Sequence, residues 1–86
     1  MPAFDMSAFD RAIEPVVGTF TTDQARRVAE HRGDDLLNAR IEQLAEKSNE
    51  GTLTDAERDE FAGYVQANKF VAILQAQVRK LLQRRP

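Results

Sequence analysis

Apolar residues recur along this chain at spacings of three and four rather than two, so the pattern predicts helices. The carboxyl-terminal third shows it best. Tyr64, Ala67, Val71, Leu74, Val78 and Leu81 form a heptad-like seam, widened by Phe61, Val65, Phe70, Ile73 and Leu82. Thr54 and Glu57 stand ahead of it in capping-box register, and only Gly63 interrupts the helix-forming residues before Pro86. One helix from Asp55 to Gln83 follows, on the order of 40 Å long at about 1.5 Å per residue.

Upstream, Leu37, Ile41, Leu44, Ala45 and Ser48 make a second stripe, with Leu36 beside it. Asp34 or Asp35 would start that helix, an acid at the positive end of the peptide dipole, and Gly51 would stop it. Thr21 and Gln24 repeat the capping-box spacing and open a shorter helix that Gly33 is expected to end near Arg32. Before it, Phe9, Ile13, Val16 and Val17 keep helical spacing. Ser7 is the expected cap of that first helix and Pro15 its stop or kink. The segment "VVGTF" would also suit a strand, but no second segment offers it a partner.

The expected fold is therefore all-α. A helical hairpin with a long carboxyl-terminal helix forms residues 21–86, and an amino-terminal arm with a short helix occupies residues 1–20. The helix before the hairpin turn, about 24 Å by the same rise, covers little more than half of its neighbour. The apolar residues from Phe70 to Leu82 then need another cover, either the amino-terminal segments folding back, or a second copy, or a partner.

Composition narrows the functional classes. Eighty-six residues allow one small core. The absence of cysteine excludes disulfides, thiol nucleophiles and cysteine-bound zinc. No apolar run reaches membrane-spanning length, and the first residues lack the basic and apolar regions of a signal peptide. A cytoplasmic protein with no membrane association is expected. The net charge is −2, but it is unevenly spread: residues 1–60 hold all fourteen acids and seven bases, and residues 61–86 hold five bases and no acid.

Much of that asymmetry suits a long helix, with Asp55, Glu57, Asp59 and Glu60 near its positive end and Arg79, Lys80, Arg84 and Arg85 near its negative end. The acids around the turn do not make a calcium loop. Counted from Asn49 or from Asp55, the ligand positions and the required central glycine fall on the wrong residues. His31 is the only histidine and adjoins Glu30, so the two point to different helix faces. Glu42 and Glu46 share a face, but no second pair completes a metal or acid–base site. No phosphate loop, nucleophile elbow or zinc spacing is present. The expectation is a non-enzyme with no catalytic residue, no metal and no cofactor.

The stretch "LAEKSNEGTLTDAERDEF", preceded by the T-x-x-QAR pattern at Thr21–Arg26 and followed by "YVQANKFVAILQAQVRKLL", resembles a small uncharacterised bacterial all-helical family. The likeness rests on Ala45, Glu46, Asn49, Glu50, Gly51, Leu53, Thr54 and Glu57, then Tyr64, Leu74, Leu81 and Leu82. Its members are associated with neighbouring HNH-type nucleases. The resemblance therefore implies an accessory protein, antitoxin-like or immunity-like.

The leading expectation is a protein-interaction module that offers its acidic turn or long helix to a protein partner, a nuclease among the candidates. Glu57, Asp59, Glu60, Tyr64, Val71, Leu74, Val78 and Leu81 are the expected contact residues. One alternative is a self-associating scaffold, such as a homodimer, that uses the seam from Tyr64 to Leu82. Another is a small DNA-binding regulator that uses Arg26, Arg27 and the basic tail. The negative net charge and the acids heading "DDLLNARIEQLAE" speak against direct nucleic-acid binding.

Overall fold

A computed structural model describes residues 5–85 of the chain. The first four residues of the expected arm and the terminal Pro86 lie outside them. The fold is all-α, with four helices among the described residues: α1 Met6–Val17, α2 Thr22–Glu30, α3 Asp35–Glu50 and α4 Asp55–Arg84. The segment "VVGTF" holds the end of α1 and a turn, and no strand occurs among the described residues.

The caps explain where each helix starts. Asp5, not Ser7, caps α1: its Oδ1 accepts the Ala8 amide at 3.0 Å. An ionised carboxylate at that position also meets the positive end of the helix, which a serine hydroxyl does not. Pro15 lies inside α1 rather than ending it. So close to the end it removes one amide donor, and the helix runs on to Val17. The box at Thr21 forms in full, with Gln24 N to Thr21 Oγ1 at 3.1 Å and Thr21 N to Gln24 Oε1 at 2.9 Å. Asp34 caps α3 by accepting the Leu37 amide at 3.0 Å.

Helix α2 ends earlier than Gly33. His31 is already extended, and Gly33, at φ +82°, belongs to the link into α3. The reason is a set of side-chain donors from α4. Gln75 Nε2 donates to the carbonyls of Val28 at 3.1 Å and His31 at 2.7 Å, and Arg79 Nη2 to that of Ala29 at 3.3 Å. These satisfy the last carbonyls of α2, which a glycine turn would otherwise have to serve.

The chain divides into two compact units, Met1–His31 with Phe70–Pro86, and Arg32–Lys69. In the first, α1 and α2 fold back on the second half of α4. Val17, Ala25 and Val78 are its buried centre, with Phe20, Val28, Ala29, Leu74, Leu81 and Leu82 packed around them. Phe9 stacks on Phe70 with ring centroids 4.7 Å apart. Gln77 is the buried polar residue of this unit, and its Nε2 donates to Asp10 Oδ1 at 2.6 Å and to the Asp10 carbonyl at 3.3 Å.

The second unit is the hairpin of α3 and the first half of α4, with Leu44 fully buried. The seam read from sequence does not stay on one buried face. Ala67 and Val71 are exposed, whereas Ile73 and Gln77 are buried. The first half of α4 packs on α3 and the second on α1 and α2, so the buried face changes along the helix.

Candidate functional site

The α3–α4 turn is built by adjacent stop and start signals. Gly51 takes φ +72°, a left-handed conformation that costs glycine little. The Thr52 amide then reaches back to the Lys47 carbonyl at 2.9 Å and the Gly51 amide to that of Ser48 at 3.1 Å. Three residues on, the second capping box closes. Glu57 N meets Thr54 Oγ1, and Thr54 N meets Glu57 Oε1, both at 3.1 Å.

The acids of this turn divide into two groups. Glu57 and Glu60 point at α3. Lys47 Nζ donates to Glu57 Oε2 at 2.6 Å. Arg40 grips Glu60 with two hydrogen bonds, Nε to Oε2 at 3.0 Å and Nη2 to Oε1 at 2.8 Å, while its Nη1 reaches Gln43 Oε1 at 2.8 Å. Tyr64 adds its hydroxyl to Glu60 Oε2 at 3.0 Å. This paired arrangement is the geometry that makes arginine–carboxylate contacts strong and directional.

Protonation follows from those partners. The Lys47 ammonium and then the Thr54 amide hold Glu57 down to about 2. Arg40, and then the Tyr64 hydroxyl, hold Glu60 below its ordinary value. The hydrogen bond to Glu60 raises Tyr64, and the same carboxylate raises Arg40. Both carboxylates of this clamp are therefore ionised throughout the neutral range.

Glu50, Asp55 and Asp59 form the second group and are exposed. Asp55 makes a contact with Arg58 at the 4.0 Å limit of an ion pair. Of the eight residues expected to meet a partner, Asp59 and Val71 are thus exposed, Val71 by 41%. Val78 is fully buried, and Leu74 and Leu81 pack against the same core. Glu57, Glu60 and Tyr64 are half-buried in the clamp.

The clamp residues on α3, Arg40 and Lys47, escaped the sequence reading. In an antiparallel hairpin, residues at similar distances from the turn face each other, so counting outward from 51–54 would have paired Lys47 with Glu57, but it sets Arg40 opposite position 65 and not opposite Glu60. Leu36, which the spacing set beside the apolar stripe, is 84% exposed.

The basic tail is partly occupied by the fold. Arg85 donates to the carbonyl of Phe20 at 2.8 Å and lies within bonding reach of Thr22 Oγ1 and the Gly18 carbonyl. Arg26 pairs with Asp23 at 3.7 Å. No helix among the described residues is long and apolar enough to cross a membrane. Set against family models, curated proteins and solved structures, the chain matches none of them.

Proposed function

We propose that the chain is a non-enzymatic protein-interaction module whose α3–α4 turn meets a basic surface on a protein partner. One observation carries this reading. With Glu57 and Glu60 engaged by α3, Glu50, Asp55 and Asp59 stay exposed on a turn held by a glycine stop, a capping box and two ion-paired carboxylates. Charges fixed in this way need little reordering on binding and steer an oppositely charged surface toward the correct patch. A nucleic-acid-binding face of a nuclease has that charge, and the family resemblance points to the same class of partner.

The test is capture of the neighbouring gene product by the tagged full-length chain. Reversing Glu50, Asp55 and Asp59 to lysine leaves the clamp intact, and capture should be lost while the helical circular dichroism signal is unchanged. Undiminished capture by this triple variant would place the contact elsewhere. Reversal of Glu57 or Glu60 is unsuitable, because it opens the hairpin itself.

A further inference from the structure

Leu36 lies in the first turn of α3, and 84% of its surface is open to water. The hairpin core is built without it, from Leu44 with the half-buried Ile41 and Ala45. A polar residue would serve that position equally well for folding. Leu37 beside it is 37% exposed. The neighbour on the other side is the exposed Asp35, and Asp34 precedes it with one carboxylate oxygen on the Leu37 amide. The chain thus presents a leucine preceded by two carboxylates.

The other unit carries a surface of opposite kind. Thr19, Phe20, Gln24, Arg27 and Val28 line an open groove of about 540 Å³. Phe20 and Val28 are half-buried and supply its apolar lining, and Arg27 is exposed. Arg27 has no ion-pair partner among the described residues. Asp23, the acid in the first turn of α2, is taken by Arg26 at 3.7 Å. Arg85 adds a second positive charge at the Phe20 backbone and is satisfied there by neutral oxygens, not by a carboxylate. Such a groove accepts an apolar side chain that has a carboxylate next to it. The wider charge distribution points the same way: Arg32–Lys69 holds nine acids and five bases, and the unit with the groove holds five acids and seven bases.

We infer that the occupant of this groove is a second copy of the chain: Leu36 of one copy sits between Phe20 and Val28 of another, with Asp35 facing Arg27. The contact joins unlike surfaces, so it closes into a symmetric pair if both copies engage and otherwise builds a chain. It is independent of the partner reading above, which uses Glu50, Asp55 and Asp59. Desolvating a leucine supplies the attraction, and the charge pair fixes its orientation.

Sedimentation velocity on the full chain, from micromolar to hundreds of micromolar at low salt, tests this. The expected result is a mass that rises above the 9.7 kDa of one chain with concentration. Leu36→Glu should weaken association by about tenfold or more, equivalent to losing roughly 1.4 kcal/mol. Arg27→Glu and Asp35→Arg should each weaken it as well. The double variant carrying both exchanges should recover association close to that of the parent. All three positions are exposed, so circular dichroism should report a folded helical chain for each variant. A chain that stays monomeric across the range overturns the proposal, as does association indifferent to Leu36→Glu. Failure of the double exchange to restore association removes the groove as the docking place. A monomer that uses Leu36 to bind a different protein overturns the second copy as occupant.

Discussion

Lys47 and Glu57 close the hairpin turn from both sides. The lysine ammonium lies 2.6 Å from Glu57 Oε2, while Glu57 Oε1 caps the Thr54 amide and the Lys47 carbonyl takes the Thr52 amide. One pair of side chains thus ties the end of α3, the turn and the start of α4 together. Its pH dependence has a definite sign. Glu57 is held at about 2 in the folded chain against an ordinary 4.5, so its contribution is complete above about pH 4.5 and is lost as the pH falls toward 2. Glu60 is shifted in the same direction. Urea midpoints measured across that window should fall with pH in the parent and fall less in Glu57→Gln. Equal slopes in the two proteins would show that the carboxylate is not held by these partners.

Leu44 and Leu36 are eight residues apart on one helix and should respond oppositely to truncation. Leu44 is fully buried, and Leu44→Ala removes core contacts and leaves a cavity, at a cost of about 2 to 5 kcal/mol. Leu36→Ala touches no core and should change monomer stability by about 0.5 kcal/mol or less. Chemical denaturation at low protein concentration separates the two. A large loss from Leu36→Ala there would mean that the leucine packs within its own chain.

Two glycines provide a test of backbone conformation. Gly51 has φ +72° and open space where a Cβ would be, so Gly51→Ala meets no clash. Its cost is that of the left-handed conformation alone, about 1 to 2 kcal/mol. Gly63 lies within α4, again with nothing near an added Cβ. Gly63→Ala should therefore stabilise the chain by about 1 kcal/mol. Thermal melts of the two variants should move in opposite directions. A shift of the same sign in both would contradict the conformations assigned to them.

The parts of this fold legible from sequence are those set by neighbours along the chain. Thr21 with Gln24 and Thr54 with Glu57 are three residues apart, and both boxes formed where the spacing placed them. The all-α class and the long final helix followed from periodicity in the same way. Interactions between distant positions were less legible. Gln75 ends α2 from more than forty positions away, and no local signal at His31 announces it. The heptad spacing from Tyr64 to Leu81 identified apolar residues correctly but could not show that α4 exchanges one packing neighbour for another, which leaves Val71 outside. At the candidate site, the acids were conspicuous and their bases were not, because Arg40 and Lys47 face them only once the hairpin has closed.

Gln77 carries the last test, because it is a polar residue in an apolar setting. It is 6% exposed, and its amide donates to both the side chain and the backbone of Asp10, tying α1 to the second half of α4. Gln77→Leu keeps the bulk and removes the donor, so the Asp10 oxygens lose a partner at the edge of the core. The expected cost is about 1.5 to 3 kcal/mol, the range for a hydrogen bond to a charged group. Gln77→Glu should cost more at neutral pH, since it sets a second carboxylate against Asp10 where the donor was. Adding Asp10→Asn to Gln77→Glu should recover a large part of that loss, because the asparagine amide can donate to the new carboxylate. The same Asp10→Asn change alone should be mild, as its side-chain oxygen still accepts from Gln77. Denaturation of the parent, Gln77→Glu, Asp10→Asn and the double variant completes a double-mutant cycle. Additive losses, with no recovery in the double variant, would show that Gln77 stabilises the unit by packing and not through Asp10.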